Sequence, residues 1–277
     1  MPGTLYVVAT PLGNLEDISA RALRILREVQ LIAAEDTRHS RKLLAHFDIH
    51  TPLISYYDQI ERERAPELIE RLKAGKSIAL ISDAGTPGIA DPGFRLVRAA
   101  VEAGIKVVPI PGPSAVAAVL SVCGLPTDRF VFEGFVPARA VARRKFLDTL
   151  IGEERTIVVY EAARRLSESL ADLIAALGAD REVVVAREVT KLFEEILRGT
   201  ATDVLTRLPS AGVQGEVTLV IAGGKAARVA PIEDLDTAIT RLKGEGLHTA
   251  EIAHRLAATH HLPRRALYAR IVKSNPS

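Results

Sequence analysis

The chain has 277 residues, 48% hydrophobic and 25% charged, with 36 Lys plus Arg against 34 Asp plus Glu, a net charge of +2. These proportions exclude wholesale disorder and a uniformly basic nucleic-acid coat, and the length suits two ordinary domains plus a small appendage. The lone Cys123 excludes an intramolecular disulfide framework, and the longest apolar stretch, Ala115 to Leu125, is too short for a bilayer.

A reducing, cytoplasmic setting is therefore expected, the more so because no charged-then-apolar leader pattern opens the chain. Short β-branched runs alternate with helical patterns, which predicts α/β architecture with a largely parallel sheet. The first strand, Thr4 to Ala9, stops at Thr10-Pro11-Leu12-Gly13-Asn14, and a helix follows from Ser19 to Glu28. Next come a strand from Gln30 to Ala34, a short helix from Arg41 to Phe47, a strand from Leu53 to Ser55 and a helix from Arg62 to Lys73. Ser77 to Ile81 reads as a buried strand feeding a Gly/Pro loop from Asp83 to Gly93. A helix from Phe94 to Ala103 and a strand from Lys106 to Ile110 complete an N-terminal α/β domain, 1–112.

Pro111-Gly112-Pro113 breaks the pattern and opens a second α/β domain, 113–227. It starts with a small-residue helix from Ser114 to Val122, then a strand from Phe130 to Phe135 and a helix from Arg139 to Leu150. A strand from Thr156 to Tyr160 and a helix from Leu166 to Leu177 follow. Strands Glu182 to Arg187 and Glu194 to Leu197 lie too close for a crossover helix, so they pair antiparallel, and Glu216 to Ala222 ends a mixed sheet. The tail, 231–277, carries four of the seven histidines and an excess of Lys and Arg over Asp and Glu. It predicts three helices: Ile232 to Leu242, a second opened by Thr249, and a third from Leu262-Pro263-Arg264-Arg265 to near Lys273. A helix-turn-helix-like module and a helical cap on the second sheet fit this pattern equally.

No G-x-G-x-x-G follows the first strand and no P-loop pattern occurs, which disfavours an ordinary dinucleotide or P-loop site. The strongest local feature is Ser82-Asp83-Ala84-Gly85-Thr86-Pro87-Gly88-Ile89-Ala90-Asp91-Pro92-Gly93. It follows a buried strand at the carboxyl edge of the sheet, where open α/β folds bind ligands, and its Asp83 and Asp91 can accept hydrogen bonds from a ribose or an ammonium. The plainer alternative is a structural loop with capping aspartates. Two more loops, Thr10 to Gly13 and Pro111 to Ser114, converge on the same edge and favour a site. Glu35-Asp36-Thr37-Arg38 puts two carboxylates there, for acid/base work or merely to cap a helix. Arg139, Arg143, Arg144 and Lys145, near Phe135 and Phe146 and followed later by Arg164-Arg165, form either a phosphate-contacting cluster or a solvated helix face. The segment Arg187-Glu188-Val189-Thr190-Lys191 mixes charges in a strand-to-strand connection. The histidines lack metal-ligand spacing, since His260 and His261 are adjacent, and Ser114 lacks a nucleophile-elbow context, so neither a metal nor hydrolase chemistry is expected.

Several of these segments in this order resemble the ribosomal RNA small-subunit methyltransferases of the tetrapyrrole methylase superfamily. They are Leu5 to Leu15, Ala34 to Arg38, Ser82 to Gly88, Pro109 to Ala115, Phe132 to Pro137, Tyr160-Glu161 and Ala186 to Lys191. The resemblance covers essentially the whole chain. It implies S-adenosylmethionine-dependent methylation of the ribose 2′-hydroxyl of a cytidine in the decoding region of 16S rRNA, within the 30S subunit. It also implies two α/β domains with the cofactor in the cleft between them, a small helix-turn-helix extension and a homodimer. By motif match the cofactor would touch Pro11, Leu12, Asp83, Ala84, Gly85, Ile89, Ala90, Ser114, Ala115, Tyr160 and Arg187.

Related tetrapyrrole enzymes carry a G-G-D-P loop where this chain has Asp83-Ala84-Gly85-Thr86-Pro87, a departure that favours the RNA branch. A 2′-hydroxyl gains from a nearby proton acceptor, for which Glu35, Asp36 and Glu188 are the candidates. Arg38, Arg139, Arg143, Arg144, Lys145, Lys191, Arg264 and Arg265 are the expected RNA contacts. A tetrapyrrole C-methyltransferase, a diphthine-type protein methyltransferase and a ligand-sensing DNA-binding regulator stand as alternatives.

Overall fold

The computed structural model describes residues 1–209, 215–224, 234–259, 262 and 264–273. The expected boundaries at 227 and 231, the expected helix start at Ile232 and the adjacent His260 and His261 lie outside them. The chain forms two compact units, 1–224 and 225–277.

Within the larger unit, the first sheet is built from β1 (Thr4–Val8), β2 (Leu31–Ala34), β3 (Leu53–Ser55), β4 (Ile78–Ile81) and β5 (Lys106–Ile110). Its strands are all parallel in the order β3-β2-β4-β1-β5. Uninterrupted apolar runs suit strands covered on both faces, and every residue of β2 and β4 is buried. Ile32, Ala34, Ala79 and Ile81 pack with α1 (Ala20–Glu28) and α2 (Thr37–His46). Leu31, Ala33, Ile78 and Leu80 pack with α3 (Glu61–Lys73) and α4 (Phe94–Glu102) on the other face. Ser19 caps α1 by accepting the Ala22 N–H at 3.1 Å. Helix α2 begins four residues before the expected Arg41, because Asp36 accepts the Arg38 N–H at 2.8 Å and supplies a cap that apolar spacing does not reveal.

The chain leaves β1 toward β2 and leaves β4 toward β5, in opposite directions, although β1 and β4 are neighbours. Their outgoing loops therefore part at a topological switch point, where open α/β sheets bind ligands.

The second sheet begins after α5 (Ala115–Cys123) and has the order β6-β7-β10-β8-β9. Its strands are β6 (Phe130–Phe135), β7 (Thr156–Ala162), β8 (Glu182–Arg187), β9 (Glu195–Thr200) and β10 (Glu216–Ile221). Strand β10 runs antiparallel to both neighbours, and β8 and β9 pair antiparallel as their short connection requires. Helices α6 (Ala140–Asp148) and α7 (Leu166–Leu177) follow β6 and β7. An unexpected helix, α8 (Ala201–Arg207), is too short for periodicity to show and is fixed by a capping box between Thr200 and Asp203. The two sheets belong to one compact unit, so the Pro111–Pro113 break separates sheets within it.

The smaller unit holds α9 (Leu235–Gly244), α10 (Thr249–Thr259) and α11 (Arg264–Lys273). Ala238, Ile239, Leu242, Ile252, Ala253, Leu256, Leu267 and Ile271 form its own core. Arg270 clamps α11 to α9 through Asp236 at 2.7 Å. Among the described residues no helix is long and apolar enough to cross a membrane.

Candidate active site

The switch-point loops are stitched to one another by backbone. Thr10 N donates to Gly85 O at 2.8 Å and Gly85 N to Thr10 O at 3.0 Å, while Thr10 Oγ1 reaches Ser82 O at 3.1 Å. Gly85 has φ +79°, and a Cβ there would stand 3.4 Å from Leu12 Cδ2. Glycine at this position provides the left-handed backbone, while a Cβ would meet only ordinary contacts. A second stitch joins the ends of β2 and β4: Asp36 N donates to Asp83 Oδ1 at 3.0 Å and Asp83 N to Glu35 Oε2 at 3.4 Å. Thr86 Oγ1 then ties the loop to Pro113 O at 3.1 Å.

These loops and one end of the second sheet enclose a cavity of about 420 Å³, a volume ordinary for a small-molecule site. Leu12, Glu35, Asp83, Ala84, Gly85, Thr86, Ile89 and Asp91 line it from the first sheet. Ser114 and Ala115 come from the start of α5, and Phe135, Tyr160 and Glu161 from β6 and β7. Val189 and the stretch from Gly215 to Thr218 complete the wall. Phe132 and Phe135 both set their rings against Tyr160, with centroids 4.9 and 5.2 Å away, which fixes an aromatic side to the cavity.

The electrostatics are one-sided. Glu35, Asp83, Asp91, Glu161 and Glu216 face the cavity, and no Lys or Arg lines it among the described residues. Burial, then the neighbouring carboxylates of Glu35, Asp83 and Asp58, push Asp91 up to about 7 despite a Ser82 hydrogen bond. Burial likewise raises Glu35, with the Asp83 N–H opposing and Asp83, Asp58 and Asp36 adding to it. Burial, then the nearby Asp91 charge, lifts the Tyr160 hydroxyl to about 12. Glu161 is already spoken for, since it accepts from Ala162 N, Arg165 and Ser169 Oγ. Glu216 is paired with Lys191 at 3.1 Å, which leaves Glu35, Asp83 and Asp91 as crowded wall carboxylates with no Lys or Arg among the lining residues, arranged to meet a positively charged ligand.

Of the eleven expected cofactor residues, Leu12, Asp83, Ala84, Gly85, Ile89, Ser114, Ala115 and Tyr160 stand on the wall, whereas Pro11, Ala90 and Arg187 do not. Pro11 is buried beside the cavity, Ala90 is exposed with φ +63°, and Arg187 pairs with Glu195 at 3.0 Å. Among the three proton-acceptor candidates Glu35, Asp36 and Glu188, Glu35 alone reaches the wall. The Arg38 guanidinium, bonded at 2.9 Å, holds half-buried Asp36 down to about 2. Burial would raise Glu188, but the Glu216 N–H and the Lys191 ammonium at 3.1 Å outweigh it and hold it low.

Lys191 itself is bound between Glu188 and Glu216, and its stem lies where a Cβ on Gly13 would be, so this cation bridges loops rather than standing free. Arg143 departs further from expectation. It is 2% exposed and its guanidinium is held by Asp172 at 2.7 Å and Glu168 at 3.3 Å, out of reach of any phosphate. Arg144 shares Asp172 at 3.0 Å while staying exposed, and Arg139, Lys145, Arg264 and Arg265 are exposed. Nothing in the spacing pointed to the first residues of β10, whose place on the wall depends on strand order alone.

Residues 4–205 match the profile of the tetrapyrrole (corrin/porphyrin) methylases. The chain is 49% identical over 269 residues to the ribosomal RNA small subunit methyltransferase I of Xylella fastidiosa, covering 96% of this chain and 98% of that one. It is 45% identical over 268 residues to the protein of the same name from Escherichia coli O157:H7, covering 96% and 93%. Among solved structures, a diphthine synthase superposes with a TM-score of 0.60 at 20% identity, over 79% of this chain and 90% of that one. A uroporphyrin-III-C-methyltransferase from Thermus thermophilus superposes with a TM-score of 0.54 at 21% identity, over 79% and 94%. These two likenesses speak to the fold alone, whereas the profile covers the first sheet and the second as far as β9 and α8, and the sequence relatives match nearly end to end. By profile and by near end-to-end sequence likeness, the chain belongs to the tetrapyrrole (corrin/porphyrin) methylases.

Proposed function

We propose that this chain transfers a methyl group from S-adenosylmethionine to 16S ribosomal RNA, at the ribose 2′-hydroxyl of a cytidine. Relatives named ribosomal RNA small subunit methyltransferase I, 44–53% identical over 80% or more of the chain, support the class of acceptor. The observation that carries the reading to these residues is the cavity: carboxylate-rich, lacking a protein cation among the described residues, and set at the switch point of the first sheet. A phosphate-bearing ligand would be repelled there. A sulfonium that also bears an ammonium suits it.

When bound, S-adenosylmethionine supplies an electrophilic methyl group on a cationic sulfur. Leu12, Ile89 and Phe135, which line the cavity, would offer it apolar surface, and Asp83 and Asp91 would offset its positive charge. Gly85 supplies the left-handed turn that brings the loop backbone to the wall. In-line methyl transfer asks the protein chiefly to align acceptor and donor, and a preformed cavity held by backbone stitches does so. Glu35 takes the hydroxyl proton: it is the one sequence candidate on the wall, and burial makes it more basic than an ordinary carboxylate. Asp36 and Glu188 orient cations instead, Arg38 and Lys191 respectively. Phosphates would meet the exposed Arg38, Arg139, Arg144, Lys145, Arg264 and Arg265. The family resemblance extends the proposal to 30S subunits as substrate and to a cytoplasmic homodimer.

The test is incubation with methyl-labelled S-adenosylmethionine and, in separate reactions, 30S subunits, free 16S rRNA and uroporphyrinogen. The expected result is label in RNA at a single position where alkali no longer cleaves the chain, as a blocked 2′-oxygen requires. Label in uroporphyrinogen, or in an RNA base, overturns the reading. Glu35→Gln should lower kcat by roughly 100-fold or more while S-adenosylmethionine still binds.

A further inference from the structure

The loop that carries Asp83, Gly85, Ile89 and Asp91 to the cavity is fastened near its start by the Thr10–Gly85 backbone pair. Its far end is fastened by a residue that no motif singled out. Glu61, the first residue of α3, is 6% exposed, and its Oε1 accepts the Gly93 backbone N–H at 2.7 Å. Arg95, in the first turn of α4, lies 3.4 Å from the other carboxylate oxygen. Glu61 does not cap its own helix through this bond; the bond crosses to another element, and a charged acceptor makes it one of the stronger kinds.

Gly93 has φ +149°, and a Cβ there would stand 3.1 Å from Leu80 Cδ2 and 3.2 Å from Gly88 N. It is thus seated against both β4 and the middle of its own loop. Between the two fastenings the chain spans Thr86 to Pro92, presents Ile89 and Asp91 to the cavity, and holds Ala90 at φ +63°. A left-handed alanine persists only where its surroundings over-determine it. Glu61 itself is absent from the cavity wall and faces a separate depression of about 410 Å³ between α3 and α4, shared with Ala65, Ile69 and Arg95.

We infer that Glu61 is a positioning residue for the methyl donor, holding the far end of the Ser82–Gly93 loop from behind so that Ile89 and Asp91 face the cavity. The inference rests on S-adenosylmethionine occupying that cavity. Two variants of the full chain separate reach from charge. Glu61→Asp keeps the carboxylate but falls one methylene short of Gly93, and Glu61→Gln keeps both the reach and an accepting oxygen.

Calorimetric titration with S-adenosylmethionine is expected to show Kd raised about ten-fold for Glu61→Asp and within about three-fold of wild type for Glu61→Gln. At saturating donor, kcat for both should match the parent chain, as loss of ground-state positioning alone predicts. A wild-type Kd for Glu61→Asp overturns the inference, as does a Glu61→Gln variant equally weakened, or a Glu61→Asp chain that fails to fold and so marks a general core role. Gly85→Val tests the cavity assignment by itself. Normal binding in that variant dismisses the assignment, whereas lost binding there with normal binding in Glu61→Asp dismisses Glu61 alone.

Discussion

The two sheets of the larger unit reach the same cavity by different routes. The first is wholly parallel, so each strand delivers its carboxyl end to one edge and the loops after β1, β2 and β4 gather there without further arrangement. The second is mixed. Because β10 runs antiparallel between β7 and β8, its first residues stand beside the last residues of its neighbours, with Glu216 opposite Ala162, Thr218 opposite Tyr160 and Val217 opposite Arg187. One sheet thus builds its half of the wall from strand-following loops, and the other chiefly from the paired ends of β7 and β10, with Phe135 of β6 and Val189 after β8 beside them. Loops of the first kind carry Gly, Pro and Asp signatures that stand out in a sequence. A ladder end carries none.

The comparison can be broken most sharply through stability. Leu80 in β4 and Leu219 in β10 are each 1% exposed, one in each sheet. Leu80→Ala and Leu219→Ala should each cost about 2–5 kcal/mol, and denaturant unfolding should show one transition for residues 1–224 moving in both variants. Separate transitions for the two sheets would contradict a shared cooperative unit.

Arg143→Ala comes next in size. It strands Asp172, whose side chain is 12% exposed, beside only the solvent-exposed Arg144. A loss of roughly 3 kcal/mol is expected, without change in the salt dependence of RNA binding. Arg144→Ala with Lys145→Ala should do the reverse, lowering the log–log salt slope by about one unit for each phosphate no longer neutralised while leaving stability nearly intact. An Arg143→Ala chain of full stability and flattened slope would return that residue to the RNA surface.

Asp91 gives a pH test of the acid-walled half. Its carboxyl rises from an ordinary 3.8 to about 7 in the folded chain. Between those values the folded state holds a proton that the unfolded state releases, so stability falls as pH rises through that window. Asp91→Asn should flatten the fall and leave the chain more stable than wild type above pH 7, measured by denaturant titration at pH 5 and pH 8. The same variant should bind S-adenosylmethionine more weakly above pH 7 and lose the wild type's decline in affinity as pH drops below 7.

The smallest effect is expected from removing residues 225–277. Those helices close a core of their own, from Ala238 to Ile271, so the remaining unit should melt at an unchanged temperature and bind S-adenosylmethionine normally. Methylation of 30S subunits should show a raised KM with kcat less affected. Full activity at every substrate concentration would remove the tail, with Arg264 and Arg265, from RNA binding.

Much of the molecule was legible before its structure. Continuous apolar runs such as Ile78–Ile81 can be strands only if covered on both faces, and alternation with helical periodicity forces parallel connections, so α/β architecture followed from pattern. The Ser82–Gly93 loop announced itself because glycine and proline mark unusual backbone directly in the sequence. Tertiary structure alone decided the rest, for one physical reason: sequence spacing describes neighbours along a chain, and these interactions run between distant segments. Arg143 reads like its neighbours Arg144 and Lys145, yet the turn of α6 aims it at Asp172, 29 residues away, and buries it. Glu61 reads as one more charge opening a helix, and only the packing of α3 beside α4 brings it to Gly93, 32 residues on. The first residues of β10 join the cavity because of where that strand was inserted, a choice made by the pairing of whole strands and written in none of them singly.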